Sequence, residues 1–160
     1  MHVRQALPGD AAAACEVLRR SITELCSADH HNDEKFLADW LANKTVKNVE
    51  AWIADPANFV CVAEENGKTA GVAAMTTSGR ILLNYVSPDF RFRGISKMLL
   101  QRLEQQAVAL DLAQCRLEST KTAEVFYRAA GFRDDNALPG KCGTSPCRAM
   151  IKDIGGAKAR

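Results

Sequence analysis

Residues 84–100 place the strongest constraint on what this chain can fold into. They read N-Y-V-S-P-D-F-R-F-R-G-I-S-K-M-L-L. The apolar run ending at Val86 predicts a strand, and Ser87-Pro88 stops it because proline cannot donate to a β-ladder. Apolar residues at helical spacing begin directly after Gly94. The helix N-terminus therefore points free N–H groups and its positive dipole end at the turn, which predicts an anion site, most often for phosphate.

The turn in this stretch carries two positive side chains, Arg91 and Arg93, before Gly94. The pattern R-x-x-G-x-S is weakly specific by itself. It lacks the G-x-x-x-x-G-K-[ST] of a P-loop and the G-x-G-x-x-G of a dinucleotide fold. A structural reading stays open beside the phosphate reading, in which Gly94 relieves crowding at the helix start and both arginines are solvated.

Composition limits the class of protein. At 160 residues we expect one domain, over residues 1–154, with a flexible tail at 155–160. Lys and Arg number 21 against 19 Asp and Glu, a net charge of +2, which gives no reason to expect nucleic acid. No apolar run approaches the roughly 20 residues of a membrane span, and the N-terminus does not resemble a secretory signal. We therefore predict a cytoplasmic protein without a membrane partner.

The six cysteines could indicate disulfides or a metal, but none are spaced C-x-x-C. They are Cys15, Cys26, Cys61, Cys115, Cys142 and Cys147. We predict six free thiols in a reducing compartment; pairing of Cys142 with Cys147 stays open because Gly and Pro flank both. The adjacent histidines His30 and His31 do not suit one ion, so no metal site is predicted.

Hydrophobic periodicity and turn residues predict the element order β-α-α-α-β-β-β-α-β-α-β, a mixed α/β (α+β) single domain. Helices are predicted over 11–25, 33–41, 45–54, 95–110 and 120–130, the last with Thr120 or Thr122 as its cap. Strands are predicted over 2–7, 59–63, 69–76, 81–86, 113–119 and 147–154. The Asn66-Gly67 pair is a strong hairpin signal, so the middle three strands form an antiparallel meander. The crossover through the helix after Gly94 should be parallel and right-handed.

Two segments together resemble one family. Residues 82–100 match the strand, loop and helix with the signature [R/Q]-x-x-G-x-[G/A], except that Ser96 replaces the last small residue. Residues 119–132 match S-x-x-T-A-x-x-F-Y-x-x-x-G-F. Both patterns resemble the GNAT superfamily of acyl-CoA-dependent N-acetyltransferases, in this order and at this spacing. The resemblance covers nearly the whole chain, with only the general layout shared over the first 55 residues.

The resemblance implies the fold and the donor site. It implies a mixed central sheet of about six to seven strands with an antiparallel N-terminal meander, splayed at the acetyl-CoA site, and helices on both faces. The pantetheine arm is implied to pair with backbone groups at the end of the fourth strand, and N–H groups of the turn are implied to hold the pyrophosphate. The residues implied to bind acetyl-CoA are Tyr85, Val86, Arg91, Phe92, Arg93, Gly94, Ile95, Ser96, Lys97 and Thr120.

Three residues are candidates for the chemistry. Tyr127 is implied to be the general acid that protonates the departing thiolate; the alternative is an ordinary core aromatic. The fourth strand carries no carboxylate, so Glu118 on the next strand is the candidate base, with a structural salt bridge as the alternative. Asn84 is a candidate to orient a water or the substrate amine.

The loop after the first helix carries Asp29, His30 and His31, and it is implied to border the acceptor site. A histidine there could act as a base, and the alternative is a solvated polar loop. The whole pattern predicts an N-acetyltransferase that moves the acetyl group of acetyl-CoA to a primary amine by direct attack in a ternary complex. The acceptor, a small molecule or a peptide, is not identified, and a homodimer is possible. The alternative function is a non-catalytic acyl-CoA-binding or regulatory module of the same fold.

Overall fold

The computed structural model describes residues 1–136 and 147–155. Its helices are α1 (Ala11–Leu25), α2 (Ser27–His30), α3 (Glu34–Leu41), α4 (Val46–Ala54), α5 (Ile95–Ala109) and α6 (Glu124–Ala129). Its strands are β1 (His2–Gln5), β2 (Asn58–Glu65), β3 (Lys68–Thr76), β4 (Ile81–Val86), β5 (Gln114–Ser119), β6 (Arg133–Asp134) and β7 (Arg148–Asp153). None of the described helices has the length and apolar character needed to span a membrane.

The seven described strands form two antiparallel sheets that meet at one point. Strands β1 to β4 form a meander in the order β1-β2-β3-β4, and the C-terminal strands pair in the order β5-β7-β6. One parallel bridge, between Arg80 and Arg116, joins them. Beyond this bridge β4 and β5 share no described ladder, so the central sheet is splayed there. The predicted single domain with about seven strands and an antiparallel meander is confirmed.

A β-bulge lies next to the splay. The pairing of β3 with β4 shifts register between Ala74 and Met75, whose partners are Leu83 and Ile81. Leu82 is therefore the extra residue on β4. A bulge bends its strand and increases the local twist, which helps to turn the end of β4 away from β5.

Helices cover both faces of the sheet, as predicted. One apolar core lies between the sheet and α5, with Met75, Leu99 and Leu103 fully buried in it. The other lies between the sheet and helices α1 and α4, where Leu18 and Val62 are fully buried. Residues that alternate along one strand point to opposite faces, so β4 can present side chains to both helix layers.

Local caps account for several helix boundaries. The Asp33 carboxylate accepts a hydrogen bond from the Phe36 N–H at 2.8 Å, and the Thr45 hydroxyl accepts one from the Asn48 N–H at 3.1 Å. These side chains satisfy N–H groups that a first helical turn leaves free. Asp10 directly precedes α1, but its carboxylate makes no cap to this helix and accepts from the Leu7 N–H and from Arg4.

Three parts of the chain differ from the sequence-based expectation. Helix α2 lies inside the predicted loop 26–32, and the two-residue strand β6 lies in the predicted loop after Phe132. The helix predicted from residue 120 begins only at Glu124. A single turn and a two-residue strand are too short to show periodicity, and β6 exists only through its pairing with β7. The predicted tail at 155–160 lies outside the described residues except for Gly155.

The cysteines follow the prediction in part. Cys15, Cys26, Cys61 and Cys115 are free and buried. Burial raises the pKa of the Cys61 thiol to about 12 and that of Cys115 to about 11, so neither is an activated nucleophile. Cys147 is disulfide-bonded, so the prediction of six free thiols is wrong at that position. Cys142 lies outside the described residues.

Candidate acyl-transfer site

A pocket of about 240 Å³ occupies the opening between β4 and β5. Side chains of β4, β5, the following loop and α6 line it, and α1 closes one side. Seven of the residues predicted from the sequence line the pocket. These are Asn84, Tyr85, Val86, Ser96, Glu118, Thr120 and Tyr127. The structure thus brings the candidate acid, the candidate base and the end of β4 to one opening, although they come from elements that are separate along the chain.

The open edge of β4 offers backbone hydrogen-bonding groups to the pocket. The Ser87 N–H donates to the Ala70 carbonyl of β3 at 2.8 Å. Backbone groups of successive strand residues alternate between the two sides, so Tyr85 also faces β3, whereas Asn84 and Val86 face the opening. A peptide-like chain entering the splay therefore meets the backbone of Asn84 and Val86. Of the two residues predicted to pair with the pantetheine arm, Val86 therefore has its backbone groups on the open side, whereas those of Tyr85 point to β3.

The turn between β4 and α5 aims a helix N-terminus at the same region. Pro88–Phe90 form a 3-10 turn, and Phe92 and Gly94 have φ angles of +62° and +75°. Helix α5 then begins at Ile95 and runs for 15 residues. Its first N–H groups have no partner within the helix. A Cβ added to Gly94 would meet no atom within 4 Å, so the backbone angle, not crowding by the protein, requires glycine.

The predicted phosphate-binding side chains have different environments. The Arg91 guanidinium lies 4.6 Å from the ring centroid of Phe92, which is 92% exposed. Arg93 donates to the Glu65 carboxylate at 2.8 Å, so its guanidinium is paired within the protein. Ile95 is buried in the core and can offer a ligand only its backbone. Lys97 is exposed in the first turn of α5.

Tyr127 is a buried aromatic residue that also lines the pocket. Its side chain is 7% exposed and packs edge-on against Phe126 and Phe132, with ring centroids 5.1 and 5.5 Å away. Burial raises the pKa of Tyr127 to about 12, and the side chain of Asn84 acts in the opposite direction. The hydroxyl is therefore protonated at neutral pH and lines the pocket as a hydrogen-bond donor.

Asn84 links the strand to the helix that follows the turn. Its Nδ2 donates to the Ser96 carbonyl at 3.3 Å. Its Oδ1 is buried and accepts no hydrogen bond from the described part of the chain. A buried acceptor without a donor costs stability, and Asn84 lines the pocket. Asn84 therefore carries a buried acceptor without a described donor at the wall of the pocket.

Glu118 stands at the wall of the pocket on β5. Its carboxylate lies 3.7 Å from the Arg80 guanidinium, and its side chain is 33% exposed. This geometry fits both readings of Glu118, because its side chain lines the pocket and also pairs with Arg80. Arg80 itself was not a predicted site residue.

The loop after α1 does not supply a histidine to the pocket. His30 is 1% exposed, and its Nε2 contacts the carbonyls of Ile22 and Thr23 at 3.0 and 3.2 Å. Its Nδ1 accepts from the Asn32 N–H at 3.0 Å. Both ring nitrogens are therefore used within the protein, and the hypothesis of a solvated loop or a catalytic base at His30 is wrong. His31 is exposed.

Asp29 makes a long-range contact that the sequence did not suggest. Its carboxylate accepts from the Lys121 N–H at 2.7 Å, the Thr122 N–H at 3.2 Å and the Thr122 hydroxyl. It thereby joins α2 to the loop that leads from β5 into α6. The partners are more than 90 residues apart, so no local pattern could reveal the contact.

The match to known proteins agrees with this geometry. A splayed sheet, an aimed helix N-terminus and a buried tyrosine define an acyltransferase-type site, and the family model for the Acetyltransferase (GNAT) domain matches residues 24–143. The chain belongs to the GNAT acetyltransferase family. No curated protein matches it in sequence.

Solved structures support the same fold. A GCN5-related N-acetyltransferase from Rhodopseudomonas palustris is 22% identical, with a TM-score of 0.81 and coverage of 95% of this chain and 94% of the other. A paia N-acetyltransferase from Thermoplasma acidophilum, in complex with coenzyme A, is 19% identical, with a TM-score of 0.79 and coverage of 95% of this chain and 98% of the other. The ribosomal-protein-S18-alanine N-acetyltransferase from Escherichia coli is 19% identical, with a TM-score of 0.67 and coverage of 98% of this chain and 95% of the other. At such identities the likeness shows the fold alone.

Proposed function

We propose that this protein transfers an acetyl group from acetyl-CoA to a primary amine by direct attack in a ternary complex. The observation that carries the proposal is the meeting of Tyr127, Asn84 and Glu118 at one pocket in the open edge of the sheet. Acetyl-CoA supplies the activated acyl group. The family membership and the coenzyme A complex of the Thermoplasma acidophilum structure support the choice of donor.

The donor fits the polar groups that the protein leaves available. The pantetheine arm carries amide groups, which can pair with the backbone of Asn84 and Val86 at the open edge of β4. The Asn84 Oδ1, a buried acceptor without a protein donor, can accept from an N–H of the donor or from the amine. The N–H groups at the start of α5 receive the pyrophosphate, where the helix dipole adds about 0.3–2 kcal/mol.

The positive side chains at the turn have different roles in binding the pyrophosphate. Arg91, exposed beside Phe92, supplies charge to a phosphate, while Arg93 is paired with Glu65 and stiffens the turn. Lys97 adds positive charge in the first helical turn. Thr120 lines the pocket, and its hydroxyl accepts from the Ala123 N–H at 3.3 Å, which leaves its own proton for a ligand.

Proton transfer is assigned to two side chains. Tyr127 donates its proton to the sulfur as the thiolate departs, and its raised pKa keeps that proton in place at neutral pH. Glu118 accepts the proton that the attacking amine loses. Asn84 holds the amine or a water in line. Loss of a general acid of this kind lowers turnover by about 10²- to 10⁴-fold.

The test is a measurement of thiol release from acetyl-CoA over a panel of primary amines, with Tyr127→Phe and Glu118→Gln as variants. Tyr127→Phe should lower kcat strongly while acetyl-CoA still binds, as shown by its thermal shift. Glu118→Gln should lower kcat while acetyl-CoA binding stays unchanged. Glu16→Gln, on an exposed position of α1, is the matched control. An unchanged kcat in Tyr127→Phe would remove the acid role.

The alternative is a non-catalytic acyl-CoA-binding or regulatory module. The loose ion pair of Glu118 with Arg80 and the lack of a carboxylate on β4 favour it. Binding of acetyl-CoA without thiol release on any acceptor would establish this alternative. The domain bounds of 1–154, the cytoplasmic location and the possible homodimer stay predictions.

A further inference from the structure

We infer that the acceptor is a small amine carrying a carboxylate or phosphate, and that Arg80 and Arg116 bind this negative group. The inference rests on the proposed function and names its substrate class. It starts from a second cavity, of about 530 Å³, at the junction of β4 and β5. This volume lies within the range of small-molecule sites.

The second cavity adjoins the acyl-transfer pocket. Leu117 and Glu118 line both, so the Glu118 carboxylate stands between the two spaces. A molecule in the larger cavity therefore has one end next to the candidate base. This is the position that an acceptor needs when its amine must reach the acyl group in the smaller pocket.

Two positive side chains share one face of this cavity. Arg80 and Arg116 are partners in the bridge that joins the sheets, and directly opposite side chains project from the same face. Like charges placed opposite each other destabilise a sheet. Both side chains are half exposed, 59% for Arg80 and 50% for Arg116.

The neighbouring carboxylates hold these arginines only loosely. Glu118 lies 3.7 Å from Arg80, and Asp135, whose side chain is 6% exposed, lies 3.6 Å from Arg116. Both distances are longer than a charged hydrogen bond, which is about 2.7–2.9 Å. Within the described residues each guanidinium contacts its carboxylate only at this ion-pair distance. The exposed pair of Arg80 with Glu118 contributes little to stability.

The chemistry of the pair suits an anion next to an amine. Guanidinium groups present planar N–H forks that match the oxygens of a carboxylate or phosphate. The Glu118 carboxylate in turn attracts an ammonium group and can take its proton. The cavity therefore has complementary charges for a molecule with a negative group at one end and an amine at the other.

The experiment measures kcat/KM for pairs of acceptors that differ only in the negative group. The pairs are glycine with glycinamide, lysine with 1,5-diaminopentane, and O-phosphoethanolamine with ethanolamine. The charged member of at least one pair should be preferred by about 10- to 100-fold, and the pair that shows this distinguishes carboxylate from phosphate. The inference would be overturned if, for the native protein, kcat/KM of the neutral member equalled or exceeded that of the charged member in every pair.

In the variants Arg80→Gln and Arg116→Gln, the ratio of kcat/KM for the charged member to that for the neutral member should fall close to one, because KM for the charged member rises. Arg133→Gln is the control, because Arg133 is 56% exposed and paired with Asp153 in the same sheet but does not line the cavity. A preference that survives in both cavity variants contradicts the inference. A thermal shift with acetyl-CoA checks that each variant is folded.

A calorimetric titration of the same amines, with coenzyme A present, separates this inference from the proposed function. If no amine is acetylated, the proposed transfer is wrong. In that case binding of a charged amine to the native protein, lost in Arg116→Gln, still supports the anion site. No binding of any charged amine overturns it.

Discussion

The Asp29 carboxylate of α2 accepts the Lys121 N–H at 2.7 Å, across 92 positions of the chain. It also accepts from the N–H and hydroxyl of Thr122. These bonds tie the end of the α1–α2 segment to the loop that carries Thr120 and leads into α6. The helix that holds Tyr127 is thus anchored to the opposite side of the pocket.

We expect Asp29→Asn to loosen this contact, because an amide has one acceptor oxygen in place of two charged ones. The free energy of unfolding should fall by about 1–3 kcal/mol, measured by denaturant titration. Asp39→Asn, an exposed position of α3, should change it by less than about 0.5 kcal/mol. Equal stability of the two variants would show that the Asp29 bonds contribute nothing.

Gly94→Ala tests the turn that presents α5. Its φ of +75° is unfavourable for any residue with a Cβ, although the added methyl group would meet no atom within 4 Å. We expect a loss of about 1–2 kcal/mol in the free energy of unfolding and weaker acetyl-CoA binding in a thermal-shift titration. Gly9→Ala is the control, since Gly9 also has open space but no positive φ.

Gly94→Asn extends this test. Asparagine tolerates the left-handed region better than alanine, so this variant should recover part of the lost stability. If alanine and asparagine behave alike at position 94, backbone strain is not the reason for glycine.

His30 provides a test of a structural histidine against a catalytic one. In His30→Ala the Ile22 and Thr23 carbonyls at the end of α1 lose their donor, so unfolding free energy should fall by about 2 kcal/mol or more. The kcat of the folded protein should stay near that of the native chain. His31→Ala should leave stability unchanged, because His31 is exposed. A kcat loss in His30→Ala beyond the loss of folded protein would restore the base hypothesis.

Alkaline pH should destabilise the protein through Tyr127. Its pKa rises from 10.0 to about 12 on folding because of burial. The unfolded chain therefore loses this proton first, so the contribution is complete below pH 10 and is lost as the pH rises through 12. At about 1.4 kcal/mol per pKa unit, the loss amounts to about 2–3 kcal/mol.

The measurement is the free energy of unfolding against pH for the native protein and Tyr127→Phe. The difference between the two curves isolates Tyr127, because Cys61 and the other buried groups titrate in both. A constant difference between pH 9 and 12 would contradict the raised pKa.

Much of the fold follows from local signals. The bounds of α1 and β4 were predicted to the residue, and Asp33 and Thr45 mark helix starts because short-range caps are readable from neighbouring residues. Strand β6 was missed because only pairing with β7 makes it a strand. His30 was misread as part of a solvated loop, because nothing in S-A-D-H-H-N indicates which polar side chain turns inward.

The sequence by itself determined the strand–turn–helix from residue 84 to 100 and the second motif that ends at Phe132, because both depend on interactions between near neighbours. It thereby determined the family and the expected donor. Only the tertiary structure decided that the Asp29 carboxylate accepts hydrogen bonds from Thr122 and that Arg80 lies opposite Arg116. It also decided that the backbone of Asn84, and not that of Tyr85, faces the opening. These relations depend on how the two sheets meet, and no local periodicity encodes the register between strands that are distant in the chain.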